Sequence, residues 1–205
     1  MVINKTYIFI SIAVLSILIF IFNIYSPSYK NYPPKNSKII AFGDSLVEGI
    51  GSTKGNDFVS ILSRRINKEI INSGKSGNTT EDGLSRVNEI MLLEPGTVII
   101  LLGGNDYLRK FPDEQTFRNL KSIIFKLQSD GVFVILLGVR GGLLNDRFEP
   151  SFKKLSKEMN VPYVENVLSG LIGNDKYMSD SIHPNDTGYA IIAGKIYKEV
   201  GEYLK

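Results

Sequence analysis

Short apolar runs and longer stretches of helical period alternate along most of this chain. The runs are KIIAF (38–42), EIIN (69–72), TVIILL (97–102), VFVILL (132–137) and PYVE (162–165). Between them Phe58 to Ile66, Thr80 to Leu93, Phe117 to Leu127 and Phe152 to Met159 carry apolar residues at helical spacing, and a last helix starts at Asp186. On that helix Tyr189, Ile192, Ala193, Ile196, Tyr197 and Val200 share one face, with Asp186 or Thr187 available as its cap. The strand runs are continuous rather than alternating, as in parallel strands buried on both sides. The β-α-β-α order predicts a parallel sheet with helices on both faces.

The first residues do not fit that scheme. No charged residue occurs from Thr6 to Tyr29, and the 19 mostly apolar positions TYIFISIAVLSILIFIFNI would make a helix of about 28 Å, close to the hydrocarbon thickness of a bilayer. A cleaved signal has a shorter apolar region followed by small residues, and the nearest small-x-small triple is Ser26-Pro27-Ser28. The reading is therefore an N-terminal membrane anchor or signal segment (1–25), of which the retained anchor is favoured, a Pro-, Ser- and Tyr-rich tether (26–37) and a soluble domain (38–205). Lys5 precedes the span and Lys30, Lys35 and Lys38 follow it, a count that alone would keep the domain in the cytoplasm. A single span ahead of a complete soluble domain instead argues for export, and an extracytoplasmic domain is the expectation.

Charge and cysteine narrow the function. The net charge of +3 resides in Lys5, Lys30 and Lys35, and the remaining 170 residues balance 21 basic against 21 acidic groups. That domain lacks the basic footprint of a nucleic-acid binder. With no cysteine in the chain, neither a disulfide nor a lipid-modified cysteine can occur.

In an open parallel sheet, ligands bind beyond the carboxyl ends of the strands, so the loop after each run is the place to look for chemistry. GDSLVEG comes after the first run, SGKSGNTT after the second, GGNDY after the third, and SDSIHPND precedes the last helix. A serine hydroxyl is a weak nucleophile until a base takes its proton and a carboxylate orients that base. Ser45 stands in the first loop, the chain's single histidine, His183, in the last, and Asp180 three residues before it. The backbone amides of Ser45 and Gly77 and the side-chain amide of Asn105 could receive a developing oxyanion. Asp44 and Asp106 read as braces for these loops, and Tyr107, Leu108 and Arg109 as candidate walls of an acyl pocket. One histidine without cysteine gives no basis for a metal site, and no cofactor is expected.

The stretches GDSL (43–46), SGNT (76–79), GGND (103–106) and DSIHP (180–184) resemble the successive blocks of the SGNH, or GDSL, hydrolases. Within that superfamily the chain resembles the bacterial thioesterase I, lysophospholipase and arylesterase group, and the likeness covers residues 38 to 205. The resemblance implies a flavodoxin-like three-layer α/β/α sandwich with about five parallel strands. It implies Ser45 as nucleophile, His183 as base, Asp180 as orienting acid, and Ser45, Gly77 and Asn105 as oxyanion donors. The expected activity is hydrolysis of small or lipid-derived carboxylic esters and thioesters. Two other readings use the same residues: an esterase removing O-acetyl groups from envelope glycans, and an anchored binding module that has lost its chemistry. The loop VRGGLLNDRFEP (139–150) matches no block and leaves the substrate open.

Overall fold

The computed structural model describes residues 14–16, 29–140 and 146–205. Five strands, β1 (Ile39–Gly43), β2 (Ile70–Gly74), β3 (Thr97–Leu101), β4 (Phe133–Leu137) and β5 (Tyr163–Val164), form one parallel sheet in the order β2-β1-β3-β4-β5. Every residue of β1, β3 and β4 is buried, which is why their runs are uniformly apolar. The helices are α1 (Ser45–Glu48), α2 (Phe58–Ile66), α3 (Thr80–Met91), α4 (Gly104–Leu108), α5 (Asp113–Ser129), α6 (Glu149–Met159) and α7 (Asp186–Val200). Helices α2 and α7 pack on each other over one face of the sheet, and α3, α5 and α6 over the other.

Helix positions agree with the sequence reading and their ends differ. Helix α3 stops at Met91, two residues early. Helix α5 starts at Asp113, four residues before the apolar pattern, with Asp113 and Glu114 favourably placed in its first turn. Helix α7 is capped by Asn185, whose Oδ1 accepts from Gly188 N at 3.1 Å. Asp186, one of the two expected caps with Thr187, instead accepts from Thr53 N, Thr53 Oγ1 and Asn56 Nδ2 and ties the loop after α1 to the start of α7. The strand read as PYVE pairs only through Tyr163 and Val164.

Residues 29 to 37, read as a tether, pack on the domain. The Tyr29 ring meets Tyr203 edge-on at 5.4 Å, and Tyr32 lies 5.1 Å from Phe133 and 5.2 Å from Tyr203. Asn31 Nδ2 donates to Gln128 O and Val132 O at 2.9 and 3.0 Å. Pro, Ser and Asn mark this stretch as irregular chain, but its tyrosines carry the apolar area that docks it. The run read as a membrane helix lies outside the described residues apart from residues 14–16, which are helical. Among the described residues no helix is long and apolar enough to cross a membrane. Residues 141–145 of the unmatched loop are likewise outside them.

Candidate active site

The order β2-β1-β3 places the reversal of winding between β1 and β3, and the crevice of such a sheet opens there. Ser45 follows β1 and Asn105 follows β3, so both flank the crevice. Gly43 ends β1 under close constraint: a Cβ there would lie 2.3 Å from both Leu101 O and Val47 Cγ2. The chain then turns at Asp44, whose Oδ1 accepts from Leu46 N at 3.0 Å and caps α1. Leu46 and Val47 point into the core. Ser45, 8% exposed, stands at the helix start.

His183 comes from the loop ahead of α7. Its Nε2 is 3.0 Å from Ser45 Oγ, and its Nδ1 is 2.7 Å from Asp180 Oδ2. The Asp180 side chain closes its own turn as well, with Oδ1 accepting from Ile182 N at 2.8 Å and His183 N at 2.7 Å. The His183 hydrogen bond first, and the Ile182 amide second, hold the Asp180 carboxyl down at about 2. It is therefore ionised throughout the neutral range. With the carboxylate accepting from Nδ1–H, Nε2 is left as the ring's acceptor toward Ser45.

Besides the Ser45 amide after β1, the donors expected for an oxyanion come from the loops after β2 and β3. Gly77 has φ of +78°, a backbone region that glycine enters without penalty. Asn105 Nδ2 donates to Asn78 O at 2.9 Å and leans toward Asp44 Oδ2 at 3.5 Å. Asp106, fully buried, accepts from Thr80 N and Thr80 Oγ1 and joins α4 to α3. Both aspartates of the motifs thus brace loops.

A cavity of about 390 Å³ opens beside Ser45, within the size range of small-molecule sites. Tyr107, Leu108, Leu168, Ile172 and Ile182 supply its apolar wall, with Arg140 also on the lining. Leu168, Ile172 and Ile182 escaped the sequence reading, because they lie between β5 and α7 in chain with no strand or helix pattern. Arg109 does not line the cavity. Its Nη2 donates to Gly77 O at 2.8 Å, so it clamps the Gly77 loop from outside.

Two further residues were missed. Arg86 on α3 donates through Nε to Asn78 Oδ1 (2.6 Å) and through Nη2 to Gly43 O (2.8 Å) and Ser73 O (3.0 Å), with its guanidinium 4.5 Å over the Phe42 ring. It joins the ends of β1 and β2 to the loop that receives Asn105. A cation bordering the apolar stripe Gly83, Val87 and Ile90 was the available signal. Gly51, at φ of +94°, lies under the histidine loop, where a Cβ would sit 2.5 Å from Pro184 O and 2.3 Å from Ser179 Oγ. Nothing in the local pattern separates it from the other glycines of its loop.

Asp44 is 2% exposed. Burial pushes its carboxyl up to about 7, against the Leu46 amide and His183, which favour the anion. A folded value above the unfolded one means that the group's stabilising contribution is full below about pH 4 and is lost as pH rises through about 7. Asp44→Asn cannot carry that buried charge. Relative to the variant, the wild-type protein should lose on the order of 2 kcal/mol of unfolding free energy between pH 5 and 8, measured by urea denaturation across that range.

Among the described residues no group of three or more His, Cys, Asp or Glu side chains is arranged to hold a metal ion.

The model of the GDSL-like lipase/acylhydrolase family matches residues 41–191. The thioesterase 1/protease 1/lysophospholipase L1 of Escherichia coli K12 is 28% identical over 171 residues, covering 79% of this chain and 82% of its own. The arylesterase of Vibrio mimicus is 28% identical over 181 residues, covering 82% and 90%. Among solved structures, the psychrotrophic esterase EstA from Pseudoalteromonas sp., inhibited by monoethylphosphonate, superposes with a TM-score of 0.75 at 26% identity, over 82% of this chain and 99% of that one.

Proposed function

Since this chain belongs to the GDSL-like lipase/acylhydrolase family and is an ester-hydrolysing enzyme, we propose that its chemistry runs through an acyl-enzyme on Ser45. The observation that carries this is the chain Ser45 Oγ, His183, Asp180, with steps of 3.0 and 2.7 Å, at the edge of an apolar cavity. His183 Nε2 takes the Ser45 proton as Oγ attacks the acyl carbonyl. The Asp180 carboxylate stabilises the imidazolium that results. The tetrahedral oxygen is received by the amides of Ser45 and Gly77 and by Asn105 Nδ2, which trades its long contact to Asp44 for a bond to the oxyanion. The imidazolium then gives its proton to the leaving alcohol or thiol, and a water activated by the same ring releases the acid.

The apolar wall made by Leu108, Leu168, Ile172 and Ile182 suits an acyl chain longer than acetyl. We therefore favour lipid-derived or aryl esters and thioesters over acetylated glycans. The test is a series of p-nitrophenyl esters of rising chain length, run beside lysophospholipid, acyl-CoA and acetylated sugars. A kcat/KM that peaks at acetate and falls with each added methylene would overturn the preference.

Arg86 enters as a positioning residue, since it touches no reacting atom but holds Gly43 and Asn78. Arg86→Gln is expected to lower kcat about 10²-fold with little change in KM, the range seen when an oxyanion donor is displaced. Arg86→Lys should recover part of the loss, because a single ammonium cannot replace the planar fork. Steady-state kinetics of both variants on one ester check this.

We further propose that the uncharged apolar run from Thr6 to Ile24 holds the enzyme to a membrane, with the hydrolase domain on its extracytoplasmic side. The run's length and lack of charge support the attachment.

A further inference from the structure

We infer that the pole of the domain at the amino ends of the strands faces the bilayer, so that the active-site mouth opens away from it and takes esters from the aqueous side. The inference rests on the membrane attachment proposed above. Its first support is where the segment that follows the apolar run docks. Lys30 N donates to Asn160 O at 3.1 Å, Asn31 to Val132 O, and Tyr32 packs on Phe133. These partners precede or start β5 and β4. Ser45 and Asn105 follow the opposite ends of β1 and β3.

The second support is a length. Because residues 29 to 37 are docked, only four residues, 25 to 28, separate the apolar run ending at Ile24 from the pinned Tyr29. Fully extended, the five steps from Ile24 to Tyr29 span at most about 18 Å. A five-residue strand alone is about 17 Å long, and loops add to that distance at both poles. The leash is too short to turn the mouth down to the surface. Had all of 26 to 37 been free, its reach of about 40 Å would have matched the diameter of the domain and left its orientation unrestricted.

The third support is what this pole exposes. Leu92, 84% exposed, and Leu93, 40% exposed, project together after α3. Lys38 Nζ donates to Leu93 O, and Asn36 Nδ2 to Glu94 O at 3.4 Å, which puts the pair beside the entering chain. A single exposed leucine needs no explanation, but two adjacent ones next to Lys35 and Lys38 have the composition of a surface that dips into lipid headgroups. Glu94 and Asp130 lie beside Asn36 at this pole and keep its charge moderate. The occupant fitting these features is the bilayer that the preceding apolar run enters. The cavity walls Leu108 and Ile182 are then held away from that bilayer, and an ester embedded in it is not the natural substrate.

The chain contains no cysteine, so single labels are unambiguous. Leu92→Cys and Lys54→Cys would be made in the full chain. Residue 54 is exposed on the loop that Asp186 holds at the opposite pole. Each variant is labelled with bimane and reconstituted into phosphatidylcholine/phosphatidylglycerol vesicles with or without lipid carrying a shallow nitroxide quencher. Retained p-nitrophenyl ester hydrolysis verifies folding. Quenching at 92 by about twofold or more, with none at 54, is the expected result for a surface buried some 5–10 Å into the interface. Equal quenching, or quenching at 54 alone, in vesicle-bound protein overturns the orientation and leaves the attachment standing. Active protein that does not float with the vesicles overturns the attachment and this inference with it, and leaves the esterase chemistry untouched.

Discussion

Ser45→Ala is expected to lower kcat/KM for ester hydrolysis by about 10⁴-fold or more, a loss of roughly 5.5 kcal/mol of transition-state stabilisation. The variant removes one oxygen from a residue that is 8% exposed. It leaves intact the backbone bonds from Gly49 N and Ile50 N to Ser45 O, both 3.0 Å. Helix α1 and the Asp44 cap need no serine side chain, so thermal unfolding should be almost unchanged. Residual turnover over water would come from the oxyanion donors acting on a bound ester. A fluorophosphonate should label the wild-type protein at one site and the variant not at all, read by intact-protein mass spectrometry. Unchanged labelling of the variant would sink the nucleophile assignment.

His183→Ala should cost as much. The chain holds no other imidazole, and the 3.0 Å contact to Ser45 Oγ has no substitute among the residues around it. The double variant Ser45→Ala/His183→Ala should be no slower than either single one, because nucleophile and base work as one unit and the second removal takes away nothing still in use. Kinetics of the three proteins on a single p-nitrophenyl ester provide the comparison. Multiplicative losses in the double variant, or appreciable hydrolysis without His183, would show that the two residues act independently.

The strands were legible in the sequence because burial on both faces forces uninterrupted apolar runs such as TVIILL, and the order of runs and helical patterns implies parallel pairing. The candidate residues were legible for a related reason. A parallel sheet sends every loop after a strand to the same end, so GDSL, SGNT and GGND had to converge once their strands were recognised, and the single histidine sat in the remaining loop. Arg109 shows where that logic ends. Its place in the chain put it near the site, but whether its guanidinium faced the cavity or Gly77 O depended on a rotamer and on an acceptor 32 residues away. Arg86 and Gly51 are of the same kind: each matters through atoms contributed by distant segments.

The docked segment 29–37 makes the contrast sharpest. Proline, serine and asparagine set its irregular local conformation, and that much is a property of the residues themselves. Its adherence to the domain comes from Tyr203, Phe133, Gln128 and Asn160, which meet it only after the chain has folded. By itself, the sequence determined the layer architecture, the end of the sheet at which polar loops gather, and the residue types available for acyl transfer, because these follow from local periodicity and chain direction. The tertiary structure alone decided that Ser45, His183 and Asp180 stand at hydrogen-bond distance, which arginine braces which loop, and how the entering chain is pinned. Those are contacts between residues far apart in sequence, and their geometry is set by packing of the whole core rather than by any local preference.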